Sequence, residues 1–171
     1  MSILLTNSFR LFPPIISLIP IAPSLLSPLQ IHRTDDIYIC TDLQLNCNSS
    51  LSTINQWKIY NCTTNCSSTI PMGQTIVMTS SELNIPSRTL PYGTYQLNLT
   101  VSMVASPSLS SSASVYVQIT PSSIAANLIQ FGTSMITHGY KQDLLLDPGI
   151  FSVDPDTNVF NASVSLILSF E

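Results

Sequence analysis

Four cysteines, Cys40, Cys47, Cys62 and Cys66, fall within 27 residues, and three aspartates, Asp147, Asp154 and Asp156, fall within ten. Thiols and carboxylates are the groups with which a chain bridges itself, holds metals or moves protons. The cysteine spacings leave six, fourteen and three residues between neighbours, whereas a zinc site usually draws on short Cys-x2-Cys knuckles. Two of the cysteines also sit inside sequons, Asn61-Cys62-Thr63 and Asn65-Cys66-Ser67. An even, tight cluster of this kind points to disulfides in an oxidising compartment rather than to metal. Three pairings are open, and the most local joins Cys40 to Cys47 and Cys62 to Cys66.

Asp154-Pro155-Asp156 is a turn-forming triplet, because an Asp side chain accepts the backbone N–H two residues on. The alternative use of Asp147, Asp154 and Asp156 is calcium, which takes about six to eight oxygen ligands. Only Asp143 and Glu171 are near enough in sequence to add carboxylates, so the turn is the expected role. A general acid/base pair needs a cleft and two differently tuned partners, and nothing in the sequence suggests either. His32 and His138 are isolated, and no Gly-x-Ser-x-Gly elbow, Ser-x-x-Lys or glycine-rich phosphate loop occurs. Neither an enzyme nor a cofactor is expected.

The composition narrows the class further. Charged residues make up 8% of the 171 and apolar residues 44%, a balance unlike that of a disordered charged tail. Five Lys and Arg against a net charge of −4 leave no basic stripe for phosphates, so nucleic acid is excluded as a partner. Sequons occur at Asn48, Asn61, Asn65, Asn98 and Asn161, a mild excess over chance and the candidate glycosylation sites.

Residues 1–35 form a Pro-rich apolar leader or linker. No charge occurs between Leu11 and Ile31, but Pro13, Pro14, Pro20, Pro23 and Pro28 interrupt the stretch and argue against a spanning helix. A signal peptide after Arg10 is one reading, although Pro23 spoils the obvious cleavage position; an extended linker or an edge strand is the other. Residues 36–120 then read as a β-sandwich. Strands are expected over 36–40, 43–47, 54–61, 74–80 and within 82–90, with Trp57 as core filler. The clearest strand is TYQLNLTVSMV, where Tyr95, Leu97, Leu99, Val101 and Met103 alternate with polar residues. Tyr95, after Leu90-Pro91-Tyr92-Gly93-Thr94, is placed as a tyrosine-corner residue, and Asn98 falls on the polar face. Residues 105–114 read as a loop before a closing strand, SVYVQI. Residues 121–171 supply further strand candidates and read as the opening part of a second sandwich, cut short. The fold class expected is all-β, with tandem immunoglobulin, fibronectin-III or PKD-like sandwiches.

The stretch VQITPSSIAANLIQFG, followed by LLLDPGIFSVDPD, resembles the domain junction in the receptor-for-egg-jelly (REJ) region of polycystin-family proteins. Its second half is also similar to the core of PKD-type repeats. Pro148 and Gly149 stand where small residues are usual, and Gly132 alone remains where two glycines are common. Cys40, Asn46-Cys47, Trp57, the Cys62/Cys66 pair and the Leu90–Tyr95 lead-in resemble the opening of an REJ module. The resemblance implies an extracellular, non-enzymatic β-sandwich used for recognition, adhesion or spacing, with a protein or glycan partner. In that family such modules precede an autoproteolytic domain and a membrane region, so contact with a membrane would come only through a longer parent. No His-Leu-Ser/Thr cleavage tripeptide is present. The alternative is a PKD-like accessory module of a secreted hydrolase.

Overall fold

In a computed structural model of the chain, the residues described are 12–45, 52–62, 66–73, 76–123, 139, 144–146, 153–157 and 166–168. Among them the regular elements are all strands: β1 (Ile15–Ile19), β2 (Leu29–His32), β3 (Ile37–Gln44), β4 (Thr53–Asn61), β5 (Ser68–Thr69), β6 (Leu83–Ile85), β7 (Gly93–Met103), β8 (Ser106–Thr120), β9 (Leu144–Leu146) and β10 (Leu166–Leu168). A five-stranded sheet in the order β2-β8-β7-β4-β5 faces a three-stranded sheet in the order β1-β3-β6. β9 and β10 form a separate antiparallel pair.

The alternation that makes β7 legible also makes it central. Tyr95, Leu97, Leu99, Val101 and Met103 are all buried, while the residues between them are only partly so, as a pleat with one covered face requires. Val115, Val117 and Ile119 of β8 and Trp57 and Ile59 of β4 extend this inner face. Ile37, Ile39, Leu83 and Ile85 of the smaller sheet close over it. Trp57 is 2% exposed, and its indole N–H donates to the Ser80 carbonyl at 3.0 Å, which satisfies the one polar atom it carries into the core. The Tyr95 hydroxyl donates to the Pro91 carbonyl at 2.9 Å, forming the tyrosine corner.

Three expectations about the strands are corrected. Residues 106–114, expected as loop, are the first half of β8; they pair with β7 from Met103↔Ser106 to Asn98↔Ser114, with a register shift at Ser102/Met103. Residues 76–80, expected as strand, form turns, joined to β4 by a bond from the Trp57 amide to the Met78 carbonyl at 2.8 Å. The sandwich also begins before Asp36. β1 pairs antiparallel with β3, β2 pairs parallel with β8, and the chain crosses between the sheets past the cis peptide Ile19-Pro20. Residues 15–32 therefore take the edge-strand form rather than that of a linker, because Leu18 and Ala22 are needed in the core.

Candidate functional site

The loops that follow β2, β6 and β8 and that precede β7 meet at one end of the sandwich. Each brings a polar side chain there. The Arg33 amide donates to the Thr120 carbonyl at 3.0 Å, and the Arg88 amide to the Arg33 carbonyl at 2.7 Å. Asp36 accepts from the Ser87 amide at 2.7 Å, and Thr34 and Ser122 share a hydroxyl hydrogen bond of 2.8 Å. Arg88 holds a left-handed backbone, with φ of 62°; a non-glycine residue keeps such a conformation when its surroundings over-determine it. Pro86 supplies the constraint on one side, ending β6, and the amide bond to Arg33 supplies it on the other.

Into this corner fits the turn Asp154–Thr157. Asp154 Oδ1 accepts the Asp156 amide at 2.9 Å, the two-residue side-chain turn expected of this triplet. The Arg88 guanidinium donates to the Pro155 carbonyl at 2.6 Å. Asp156 is 5% exposed. Its Oδ2 accepts both the Tyr92 hydroxyl and the Ser122 amide at 2.8 Å, and the Arg33 guanidinium lies 5.1 Å from the Tyr92 ring centre. Burial pushes the Asp156 carboxyl up, but the Ser122 amide and hydroxyl, the Tyr92 hydroxyl and the charge of Arg33 outweigh it. They hold the group below the usual carboxylate range. The Tyr92 phenol is raised, chiefly by the hydrogen bond it donates to Asp156, with Arg33 opposing.

Two polar atoms in this corner, Asp156 Oδ1 and Arg33 Nε, are buried without a protein partner. The charges facing Asp156 are cationic, and the Asp154 carboxylate is committed to the turn. Among the described residues no group of three acidic, cysteine or histidine residues is assembled. Asp147 lies outside the described residues.

The remaining candidates are dispersed. Cys62 and Cys66 form a disulfide, with Cys62 buried and its amide bonded to the Thr94 carbonyl at 2.7 Å. Cys40, expected to be bridged, is a free, half-buried thiol on β3; Cys47 lies outside the described residues. Cys40 neighbours Tyr38, whose phenol is raised by its bond to Glu82 and then by Cys40. Asn98 is half-buried on the outward face of β7 and donates to Ser114 Oγ at 2.8 Å. Asn61 ends β4, half-buried. Asn48, Asn65 and Asn161 fall outside the described residues, as does His138. His32 touches the Pro121 carbonyl at 3.2 Å and Thr120 Oγ1 at 3.3 Å.

The family model described as the REJ domain matches residues 41–164, which includes the sandwich from the second half of β3 onward and the Asp154–Asp156 turn. The chain belongs to the REJ domain family. Among relatives of this REJ domain is the human polycystin family receptor for egg jelly, 26% identical over 142 residues. Another is polycystin-1-like protein 1 of Oryzias latipes, 30% identical over 130 residues. These alignments take in 77% and 75% of the chain, which spans only 6% and 4% of those relatives. Arg33, Arg88, Tyr92 and Ser122 were not evident as partners of the Asp-rich turn. They lie between 34 and 123 positions from Asp156, and only the fold brings them together.

Proposed function

We propose that this REJ domain is a non-catalytic extracellular module of a polycystin-like membrane protein, holding neighbouring parts of a longer chain at a fixed separation and presenting a surface to a protein or glycan ligand. The observation that carries this reading is the buried corner in which Asp156 and Pro155 are held by Tyr92, Ser122 and Arg88. Connections between modules usually run through exposed, flexible linkers; a turn beyond the sandwich that is hydrogen-bonded into it, as Asp154–Thr157 is, supports a spacer of defined geometry. Attachment to a membrane would come through the longer polypeptide of which the relatives' lengths are an example. Among the described residues no helix is long and apolar enough to cross a bilayer.

The test is secretion of the full chain from animal cells, followed by small-angle scattering and peptide mapping under non-reducing conditions. The expected outcome is a glycosylated chain with Cys62 joined to Cys66 and a single narrow distance distribution, which broadens in Asp156→Ala. Intracellular retention of unglycosylated chain, or a wild-type distribution as broad as that of Asp156→Ala, overturns the reading.

A further inference from the structure

β1 is the marginal strand of its sheet, and no described strand pairs with its outer edge. An open edge presents unpaired N–H and C=O groups that template another strand, and most proteins guard such edges with charge, proline or a covering element. This one carries no charge: none occurs between Leu11 and Ile31. Pro14 and Pro20 bound it but leave five consecutive residues, Ile15–Ile19, able to pair. Ile15 and Ile19 are 50% and 53% exposed.

The order of residues in β1 is self-complementary. Ile-Ile-Ser-Leu-Ile reads the same in both directions apart from one exchange of Ile for Leu. Two copies paired antiparallel about a two-fold axis at Ser17 set Ile15 against Ile19, Ile16 against Leu18, and Ser17 against Ser17. Cross-strand neighbours in such a pair are close enough for each apolar contact to count, and an isologous interface requires this self-matching. Each chain carries a net charge of −4, so self-association is opposed wherever charged surfaces meet. At the β1 edge the nearest like charges are the two Asp42 carboxylates, each opposite Ser17 in its own chain, and pairing through β1 keeps them three strand spacings, about 14 Å, apart.

The ground beside the edge is apolar and unfilled. Next to β1 opens a cavity of about 290 Å³, walled by Ile16, Ser17, Leu18, Ile21 and Ala22 on one side and by Ala113 and Ser114 of β8 on the other. Phe12, just ahead of β1, is 54% exposed. We infer that the chain binds a second copy of itself through β1, joining two three-stranded sheets into one of six strands.

Sedimentation of the full chain over a range of concentrations tests this. Wild type is expected to form a dimer whose dissociation constant rises at least about tenfold in Ser17→Asp, which sets two carboxylates face to face on the axis, each beside the Asp42 of its own chain. Ser17 is exposed, so the change leaves the core intact, and near-ultraviolet dichroism checks that it does. Should Ser17→Asp misfold, Ser17→Cys decides: peptide mapping after mild oxidation is expected to find two copies crosslinked at position 17. A chain that stays monomeric at the highest attainable concentration overturns the inference. So does a dimer unchanged by Ser17→Asp, or oxidation that leaves position 17 uncrosslinked.

Discussion

Asp156 shows how a single side chain can decide whether two stretches of chain stay together. Its Oδ2 accepts two hydrogen bonds, from Tyr92 on the β7 side and from the Ser122 amide just past β8. Bonds to an ionised acceptor are the strong kind. Removing the carboxylate would leave the Ser122 N–H without a partner, so Asp156→Ala is expected to speed hydrogen exchange at Ser122 well beyond wild type. Asp156→Asn, which keeps one acceptor oxygen but loses the attraction to Arg33, is expected to lie between the two. The pH dependence follows from the direction of the shift. A carboxyl held below its unfolded value gives stability that is complete above that value, about 3.9, and is lost as pH falls through the lower folded value. Protection of Ser122 should therefore persist to about pH 5 and fail only below about pH 4. A loss already complete near pH 6 would count against this role for Asp156. The Asp154 turn and the Tyr95 corner were legible in sequence because each is closed within a few residues. The partners of Asp156 were not, because nothing local distinguishes Arg33 or Tyr92 from any exposed residue before a turn.

At the scale of the element, β7 and β8 pair along most of their length but differed in legibility. β7 buries one face against the smaller sheet, so every second residue is apolar and the period shows. The first half of β8, Ser-Pro-Ser-Leu-Ser-Ser-Ser-Ala-Ser, carries small polar side chains on both faces and has no period to read. Its strand character comes from backbone bonds to β7 and from hydroxyl contacts such as Thr100 to Ser112 at 2.9 Å. Strand propensity reflects fit to neighbours more than any intrinsic preference of the residue, so a partner as regular as β7 can impose pairing on a serine-rich stretch. Amide exchange separates this from a loop. In a ladder with β7, alternate amides between Ser110 and Ser114 point at β7 carbonyls and should be protected, with their neighbours exchanging freely. Uniform fast exchange across the stretch would restore the loop reading. β1 was obscured for the opposite reason: its prolines read as breaks, whereas in the fold Pro14 and Pro20 only mark where a five-residue strand begins and ends.

For the molecule as a whole, the N-terminal segment decides whether the sandwich can exist. β1 closes one side of the three-stranded sheet, and β2 closes the other sheet by pairing in parallel with the end of β8. Leu18 and Ala22 are buried in the shared core, with Ile16, Leu29 and Ile31 packed against it. Burying one aliphatic side chain is worth about 1.5 to 3 kcal/mol. Full burial of Leu18 with partial burial of the other three large residues therefore adds up to the order of the 5 to 15 kcal/mol that a whole domain retains. A chain beginning at Asp36 would lose that sum and also the nine paired positions that β1 and β2 supply. It would uncover the edges of β3 and β8 and the apolar side chains of the core beneath them, a hazard for aggregation. Such a chain is expected to show no cooperative thermal transition, or to precipitate, whereas the full chain unfolds cooperatively with a red shift of Trp57 emission as its buried indole meets water. A shortened chain that melts within a few degrees of the full one would mean that β1 and β2 only rest on a sandwich complete without them.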